Sequence, residues 1–306
     1  MNLPSVTVVA VTWRSRQKID RCLSALRPAH DEGWLSAIVV DNASGDGTAE
    51  LVRAEHPWVA LIESGGNLGF GRGNNLGLGA VTTPYILFLN PDARISKQAL
   101  VTLVKFLEGN PQAGIVGPAI DNGGGKPQPL LPFLTPGLML RRAIGRPRPT
   151  DKERTVVPGS APERVDWVCG AVFLMRTDLA KRLGGFDPRF FLYFEEMDLC
   201  KRAIAAGFEV WAIGEAQTEH EFASSSRQSG MKLYDGCIAK DYFESRFYYL
   251  SKHHGLPKAI TAELFDFGSA CFRALKGFVI GKPHEQSRVR IGFPVPRMPR
   301  SVSPKT

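Results

Sequence analysis

Glu195, Glu196 and Asp198 follow directly behind Phe190, Phe191, Tyr193 and Phe194 and open a run of helical character. Three carboxylates in four positions beside aromatic surface are costly, because desolvation disfavours an ionised group. The positive end of a helix dipole accounts for one or two acids in a first turn. It does not account for the aromatics packed so densely ahead of them. A carboxylate held half-dry has its pKa raised toward the working pH, which suits a general base. Phe186 to Arg202 is therefore the expected catalytic end of the chain.

Four other groups carry chemistry. In Val39-Val40-Asp41-Asn42-Ala43-Ser44-Gly45-Asp46-Gly47-Thr48 a carboxylate ends a β-branched run, where it can accept hydrogen bonds from a ribose or a base imide. The same residues are turn formers, and Asp46 or Thr48 can equally cap a helix. In Asn67-Leu68-Gly69-Phe70-Gly71-Arg72-Gly73-Asn74-Asn75, glycines ahead of a helix let backbone N–H groups approach phosphate oxygens, and Arg72 adds a charged fork. The dinucleotide pattern G-x-G-x-x-G is absent, since Asn74 stands three residues after Gly71. Leu87-Phe88-Leu89-Asn90-Pro91-Asp92 delivers a carboxylate at a strand end, which suits a divalent cation shared with phosphate and water or, alternatively, a Pro-Asp turn. His220, between Glu219 and Glu221 and ahead of Ser224 to Ser226, is a candidate metal ligand or a plain surface or core histidine.

The elements that must position these groups alternate. Val6 to Val11 and Ala37 to Val40 read as strands, with Ile19, Leu23 and Leu26 at helical spacing between them. That strand–helix–strand unit implies a parallel sheet with a right-handed crossover. A helix over Ala49 to Glu55, a strand over Val59 to Glu63, a turn and helix over Gly69 to Ala80, and a strand over Tyr85 to Leu89 extend it. Ligands of such sheets bind beyond the carboxyl ends of the strands, where Asp41, Asn42 and Asn90 to Asp92 fall. Asp121 to Pro162 reads as a long Pro-, Gly- and Arg-rich loop with a helical piece near Leu138 to Ile144. Beyond it come a strand over Cys169 to Met175, a helix over Leu179 to Leu183, and a helix from the carboxylates to about Ala206. In that last helix Asp198 and Arg202 are spaced for a surface pair. From Ala259 to Ile280, apolar residues recur at Ile260, Leu264, Phe267, Cys271, Leu275 and Val279, with Glu263, Asp266, Ser269 and Arg273 opposite. With Lys276, Lys282, Arg288 and Arg290 nearby, this is either a helix packed on the domain or an interfacial membrane helix.

Composition narrows the class. The 306 residues suffice for one large α/β domain or two small ones. No 18-residue uncharged apolar run occurs, and the opening apolar stretch is too short for a signal peptide. Five scattered cysteines without a Cys-x-x-Cys fit a reducing, cytosolic compartment. The net charge of +8 is concentrated after Leu250, where ten Lys or Arg stand against three acids. No base-reading motif accompanies them, so the expected partner is an anionic membrane surface and not nucleic acid.

Together, and in this order, the motifs resemble the family 2 glycosyltransferases of the GT-A fold, in their rhamnosyltransferase-like branch. The resemblance spans Val6 to about Gly255, with Lys252-His253-His254-Gly255 similar to the family's closing segment. It implies an α/β fold, a Rossmann-like mostly parallel sheet flanked by helices, with a C-terminal helical tail. The implied organisation is a transferase domain over 1–255 and a basic amphipathic tail over 256–306. Within the domain, 1–120 would be the nucleotide-sugar half, 121–164 the long loop, and 165–255 the acceptor and catalytic half.

By the same resemblance Thr12 and Asp41 would contact the nucleoside of a sugar-nucleotide donor. Asn67, Gly69 and Asn75 would shape its pocket, with Arg72 near the base or diphosphate. Asp92 would hold a divalent metal, Mg²⁺ or Mn²⁺, with His220 as a further ligand. The usual Asp-x-Asp is here Asn90-Pro91-Asp92, so metal affinity without donor should be low. Glu196 would be the base, Glu195 the alternative, and Asp198 and Glu195 would support the loop or the acceptor. The implied reaction is inverting transfer of a sugar, such as rhamnose, to a glycan or polyprenyl-linked acceptor at the inner face of the cell membrane. Two other classes fit parts of the sequence. One is a non-catalytic sugar-nucleotide or glycan binder on the same fold, and the other a nucleotide-dependent oxidoreductase, against which the missing G-x-G-x-x-G counts.

Overall fold

The structure is a computed structural model that describes residues 5–121, 127–146, 148–151, 154–220, 236–280, 285–293 and 298. Its strands are β1 (Val6–Thr12), β2 (Leu35–Asp41), β3 (Ala60–Glu63), β4 (Tyr85–Leu89), β5 (Ala93–Ile95), β6 (Ala113–Asp121), β7 (Pro129–Leu130), β8 (Arg154–Thr155), β9 (Glu163–Arg164), β10 (Val172–Arg176) and β11 (Glu209–His220). Its α-helices are α1 (Arg16–Asp31), α2 (Thr48–Glu55), α3 (Phe70–Ala80), α4 (Lys97–Gly109), α5 (Pro136–Ala143), α6 (Thr177–Arg182), α7 (Glu195–Ala205), α8 (Gly236–His254), α9 (Leu256–Val279) and α10 (Glu285–Ile291).

The α/β class is the expected one. A nine-stranded sheet runs β3-β2-β1-β4-β10-β6-β11-β5, with β9 paired to β11. Strands β3, β2, β1 and β4 are parallel, and so are β6 and β11. Strand β10 enters antiparallel between β4 and β6. Along β1, Val6, Val8 and Ala10 join the core under α1, with Ile19, Cys22, Leu23 and Leu26, while Val9 joins the core on the other face. Strand β4 alternates likewise, Leu87 and Leu89 on the α1 side, Ile86 and Phe88 against Phe173, Met175 and Phe186. Both faces are covered, which is why these strands read as unbroken apolar runs.

The glycines of α3 have a packing role. A Cβ at Gly73 would lie 2.7 Å from Val11 Cγ1, and one at Gly77 would lie 2.4 Å from Val9 Cγ1. The helix therefore sits closer to β1 than any side chain allows. Gly73 of the glycine-rich motif and Gly77 beyond it thus have a packing role.

Contacts divide the chain into two units, Met1–Leu131 with Glu153–Pro188 and Glu195–Ser225, and Pro132–Lys152 with Arg189–Phe194 and Ser226–Thr306. This grouping cuts across the division at Gly255, because α5 and α8 fall with the tail helices. In the first unit, β7 and β8 form a small sheet within the stretch expected as loop. In the second unit Arg141 grips Asp151 with two hydrogen bonds of 2.6 Å, and these hold the Asp151 pKa down to about 2.

Candidate active site

The first cluster lies at the ends of β1 and β2, where the parallel register pairs Thr12 with Asp41. Thr12 Oγ1 donates to Asp41 Oδ1 at 2.9 Å, and the Ser44 hydroxyl donates to the same oxygen at 2.5 Å. The Ser44 amide donates to Oδ2 at 3.0 Å, closing a turn around the carboxylate. A carboxylate has about four acceptor sites, so capacity remains for a ligand hydroxyl or imide. Asn42 Nδ2 donates to the Gly69 carbonyl at 3.0 Å, tying this turn to the start of α3. The Gly69 amide in turn donates to Asn67 Oδ1 at 3.0 Å. Thr12, Asp41, Asn67 and Gly69 are thus brought to one strand-end neighbourhood.

Asn75 and Arg72 both contact the Phe186 to Pro188 segment. The Asn75 carboxamide donates to the Phe186 carbonyl at 2.7 Å and accepts from the Phe186 amide at 2.8 Å. Arg72 Nε donates to the Pro188 carbonyl at 2.6 Å. Both residues pin the segment that leads toward α7 onto α3.

The second cluster gathers around the end of β4. The Asn90 amide donates to the Ala171 carbonyl at 2.8 Å, and its carbonyl accepts from the Ala93 amide at 3.0 Å. The turn so formed presents Asp92. Antiparallel pairing of β11 with β5 sets His220 opposite Ala93. His220 Nε2 comes 3.2 Å from Asp92 Oδ1, with both side chains 7% exposed. Among the described residues no group of three His, Cys, Asp or Glu side chains is arranged to hold a metal. Glu221, Ser224 to Ser226 and Lys282 lie outside the described residues.

The carboxylate segment divides. Burial pushes the Glu196 pKa up, opposed by the backbone N–H groups of Glu196, Gly170 and Met197. A Cβ on Gly170 would lie 3.5 Å from Glu196 Oε1, so this glycine forms the floor beneath the carboxyl. Burial also raises the Cys169 thiol to about 12, and the charges of Glu196 and Asp92 both add to that rise. Glu195 is buried at the same helix start.

Asp198 is fully buried and pairs with Arg202 Nε at 2.8 Å. The surface pair expected from the spacing is therefore a buried clamp. Arg202 extends it by donating to the carbonyls of Leu183 and Gly185 at 2.9 and 2.8 Å. In the second unit Phe190 packs on Tyr248, and Phe194 packs on Tyr242 and Tyr249.

Backbone strain marks the same places. Among the described residues, the non-glycine residues with positive φ are Arg14 (53°), Ala43 (56°), Tyr193 (71°) and Phe194 (69°). Each conformation costs on the order of 1–2 kcal/mol and persists only where the surroundings impose it. Arg14 and Ala43 flank Thr12 and Asp41, while Tyr193 and Phe194 immediately precede Glu195. Sequence reasoning missed Trp13, which is 37% exposed beside Thr12 with the Arg14 guanidinium 5.1 Å from its ring. Its signal was a large aromatic at the carboxyl end of a parallel strand, a ready stacking face for a base.

With this geometry in hand, the family model described as Glycosyl transferase family 2 matches residues 7–168. The chain belongs to glycosyl transferase family 2. That stretch covers β1 through the approach to Gly170 and holds Asp41 and Asp92, with His220 beyond it. The N-acetylglucosaminyl-diphospho-decaprenol L-rhamnosyltransferase of Mycobacterium tuberculosis is 28% identical over 72% of this chain and 76% of its own length. Rhamnosyltransferase WbbL of Escherichia coli is 27% identical over 62% of this chain and 72% of its own. Among solved structures, the mannosyltransferase PcManGT of Pyrobaculum calidifontis, in complex with GDP-Man and Mn²⁺, aligns at a TM-score of 0.54 and 16% identity, covering 96% of this chain and 85% of that one. That likeness is one of fold, the GT-A fold. The family 2 chain described here is accordingly a glycosyltransferase, similar in sequence to rhamnosyltransferases.

Proposed function

We propose that this family 2 glycosyltransferase moves a sugar, such as rhamnose, from a nucleoside diphosphate to a hydroxyl of a polyprenyl-linked or polysaccharide acceptor, with inversion at the anomeric carbon. Glu196 takes the acceptor proton, the freed oxygen bonds to the anomeric carbon, and the bond from that carbon to the diphosphate oxygen breaks on the opposite face. The observation that carries the reading is the shared neighbourhood of Glu196 and Asp92: the Asn90 amide ties the Asp92 turn to the Ala171 carbonyl at 2.8 Å, next to Gly170, whose Cβ position lies 3.5 Å from Glu196 Oε1. A raised pKa suits Glu196 to accept a proton near neutral pH. Glu195 is the alternative base, and Asp198 acts through its clamp on Arg202.

Thr12 and Asp41 hold the nucleoside, with Trp13 as stacking face and Asn67 and Gly69 shaping the wall. Asn75 and Arg72 position the segment beside it, and the Asn90 turn sets Asp92. Asp92 and His220 form a two-donor set of carboxylate oxygen and imidazole nitrogen, nearly closed to solvent. This set fits a divalent cation completed by diphosphate and water oxygens, and the imidazole favours Mn²⁺ over Mg²⁺. When bound, such an ion would stabilise negative charge on the leaving diphosphate. The Mycobacterium relative's name supports a lipid-linked acceptor and hence a cytoplasmic enzyme working peripherally at the inner membrane face. Among the described residues no helix is long and apolar enough to cross a membrane.

The test is a donor panel. Purified protein with Mn²⁺ or Mg²⁺ is titrated by calorimetry with UDP-, dTDP- and GDP-sugars. Selective, metal-dependent binding of one sugar nucleotide, followed by transfer giving the opposite anomer by NMR, supports the reading. Donor binding without turnover on any acceptor would instead favour a non-catalytic binder.

A further inference from the structure

Helix α9 is packed inside-out. Its buried positions are Ala259, Ala262, Glu263, Ala270 and Gly277, and its solvent face carries Ile260, Leu264, Phe265, Phe272, Leu275, Phe278 and Val279. Leu264, Phe272 and Phe278 are 64%, 67% and 83% exposed. The apolar stripe legible in the sequence thus points outward, and the polar stripe opposite it points in.

An ionic cluster in the second unit fastens the helix in this orientation. Arg246 of α8 binds Glu263 with two hydrogen bonds of 2.8 and 2.6 Å and reaches Asp266 at 2.8 Å. Arg290 of α10 bonds Glu263 at 2.9 Å and Asp266 at 2.8 Å. Arg290, one of the cations that left a membrane-facing helix open as an alternative, is buried here as a counter-ion. Rotating α9 to hide its phenylalanines would break every one of these contacts and strand buried charge, which is strongly unfavourable.

At about 100° per residue, the exposed apolar residues from Ile260 to Val279 form one uncharged stripe. Lys258 and Lys276, about five full turns apart, fall on the same edge of it and are exposed, as is Arg288 on α10. The acids of α9, Glu263 and Asp266, are engaged by Arg246 and Arg290. A face apolar at its centre and cationic at its rim fits an anionic bilayer surface, where aromatic and aliphatic side chains enter the acyl boundary and lysines meet headgroups. Antiparallel self-association through this face would bring the cationic edges together.

We infer that α9 docks the protein on anionic lipid through the Ile260–Val279 face, held outward by the Arg246–Glu263–Asp266–Arg290 cluster. This rests on the membrane-surface part of the reading above and names its contact. The test is flotation of the full chain with phosphatidylglycerol–phosphatidylethanolamine vesicles, against phosphatidylcholine alone. Flotation should require the anionic lipid. It should fall at least about tenfold in Phe272→Ser/Phe278→Ser, and about fivefold per lysine in Lys258→Glu/Lys276→Glu. Undiminished flotation of the phenylalanine variant would overturn the inference. So would a wild-type dimer, seen by sedimentation, that becomes monomeric in that variant without any change in flotation. Donor binding measured on the same proteins separates the two readings. Lost flotation with donor binding intact is the expected variant phenotype, whereas wild-type flotation without donor binding would remove the transferase reading alone.

Discussion

His220 Nε2 and Asp92 Oδ1 stand 3.2 Å apart because antiparallel register between β11 and β5 brings the end of one strand to the start of the other. If the pair holds a divalent cation with the donor diphosphate, Asp92→Ala and His220→Ala should each weaken Mn²⁺-dependent donor binding at least about tenfold. Donor affinity without metal should change little. Calorimetry with and without Mn²⁺ checks this, and equal losses in both conditions would assign the pair to structure.

Glu196→Gln should lower kcat by ~10²–10⁴ while leaving donor affinity intact. The folded-state pKa of Glu196 lies above its unfolded value, so the stability it contributes is present in acid and lost as pH rises through the folded pKa. The variant should therefore melt at a higher temperature than wild type near neutral pH, with the gap closing on acidification. Melting curves across pH check the sign. If Glu195→Gln causes the larger kcat loss, the roles of the two acids exchange.

Gly170 offers a probe of the same carboxyl without touching it chemically. A methyl at this position would rest in ordinary contact, 3.5 Å from Glu196 Oε1, and would displace water from it. Gly170→Ala should fold and shift the acid limb of the kcat/KM profile to higher pH. An unshifted limb would mean that another group titrates there.

Asp198→Asn should cost about 3 kcal/mol by urea denaturation, the lower end for breaking a buried pair, because Arg202 keeps partial solvent contact. Donor affinity under native conditions should stay within about twofold. A donor-affinity loss exceeding the stability effect would give Asp198 a direct part in binding.

The alternation of strands and helices was legible because strands buried on both faces leave continuous β-branched runs, as Val6 to Val11 and Tyr85 to Leu89 do. The carboxylates at strand ends, Asp41 and Asp92, were legible for the same reason. Strand β11 was not. Its polar residues alternate outward, and its register against β6 slips between Ile213 and Gln217, where the Gly214 carbonyl accepts from the Gly159 amide. A period broken in this way hides the strand that delivers His220.

The sequence by itself determined the local facts: which segments alternate, where acids meet strand ends, and that residues 259–280 are amphipathic. Those facts follow from periodicity and side-chain chemistry, which act over a few residues. Tertiary structure alone decided what each feature faces. The α3 glycines meet Val9 and Val11, Asp198 goes under Arg202, and α9 turns its charges inward because Arg246 and Arg290, from two other helices, are there to receive them. A helix pattern specifies two faces, and only the neighbours that fold against it choose which one is buried.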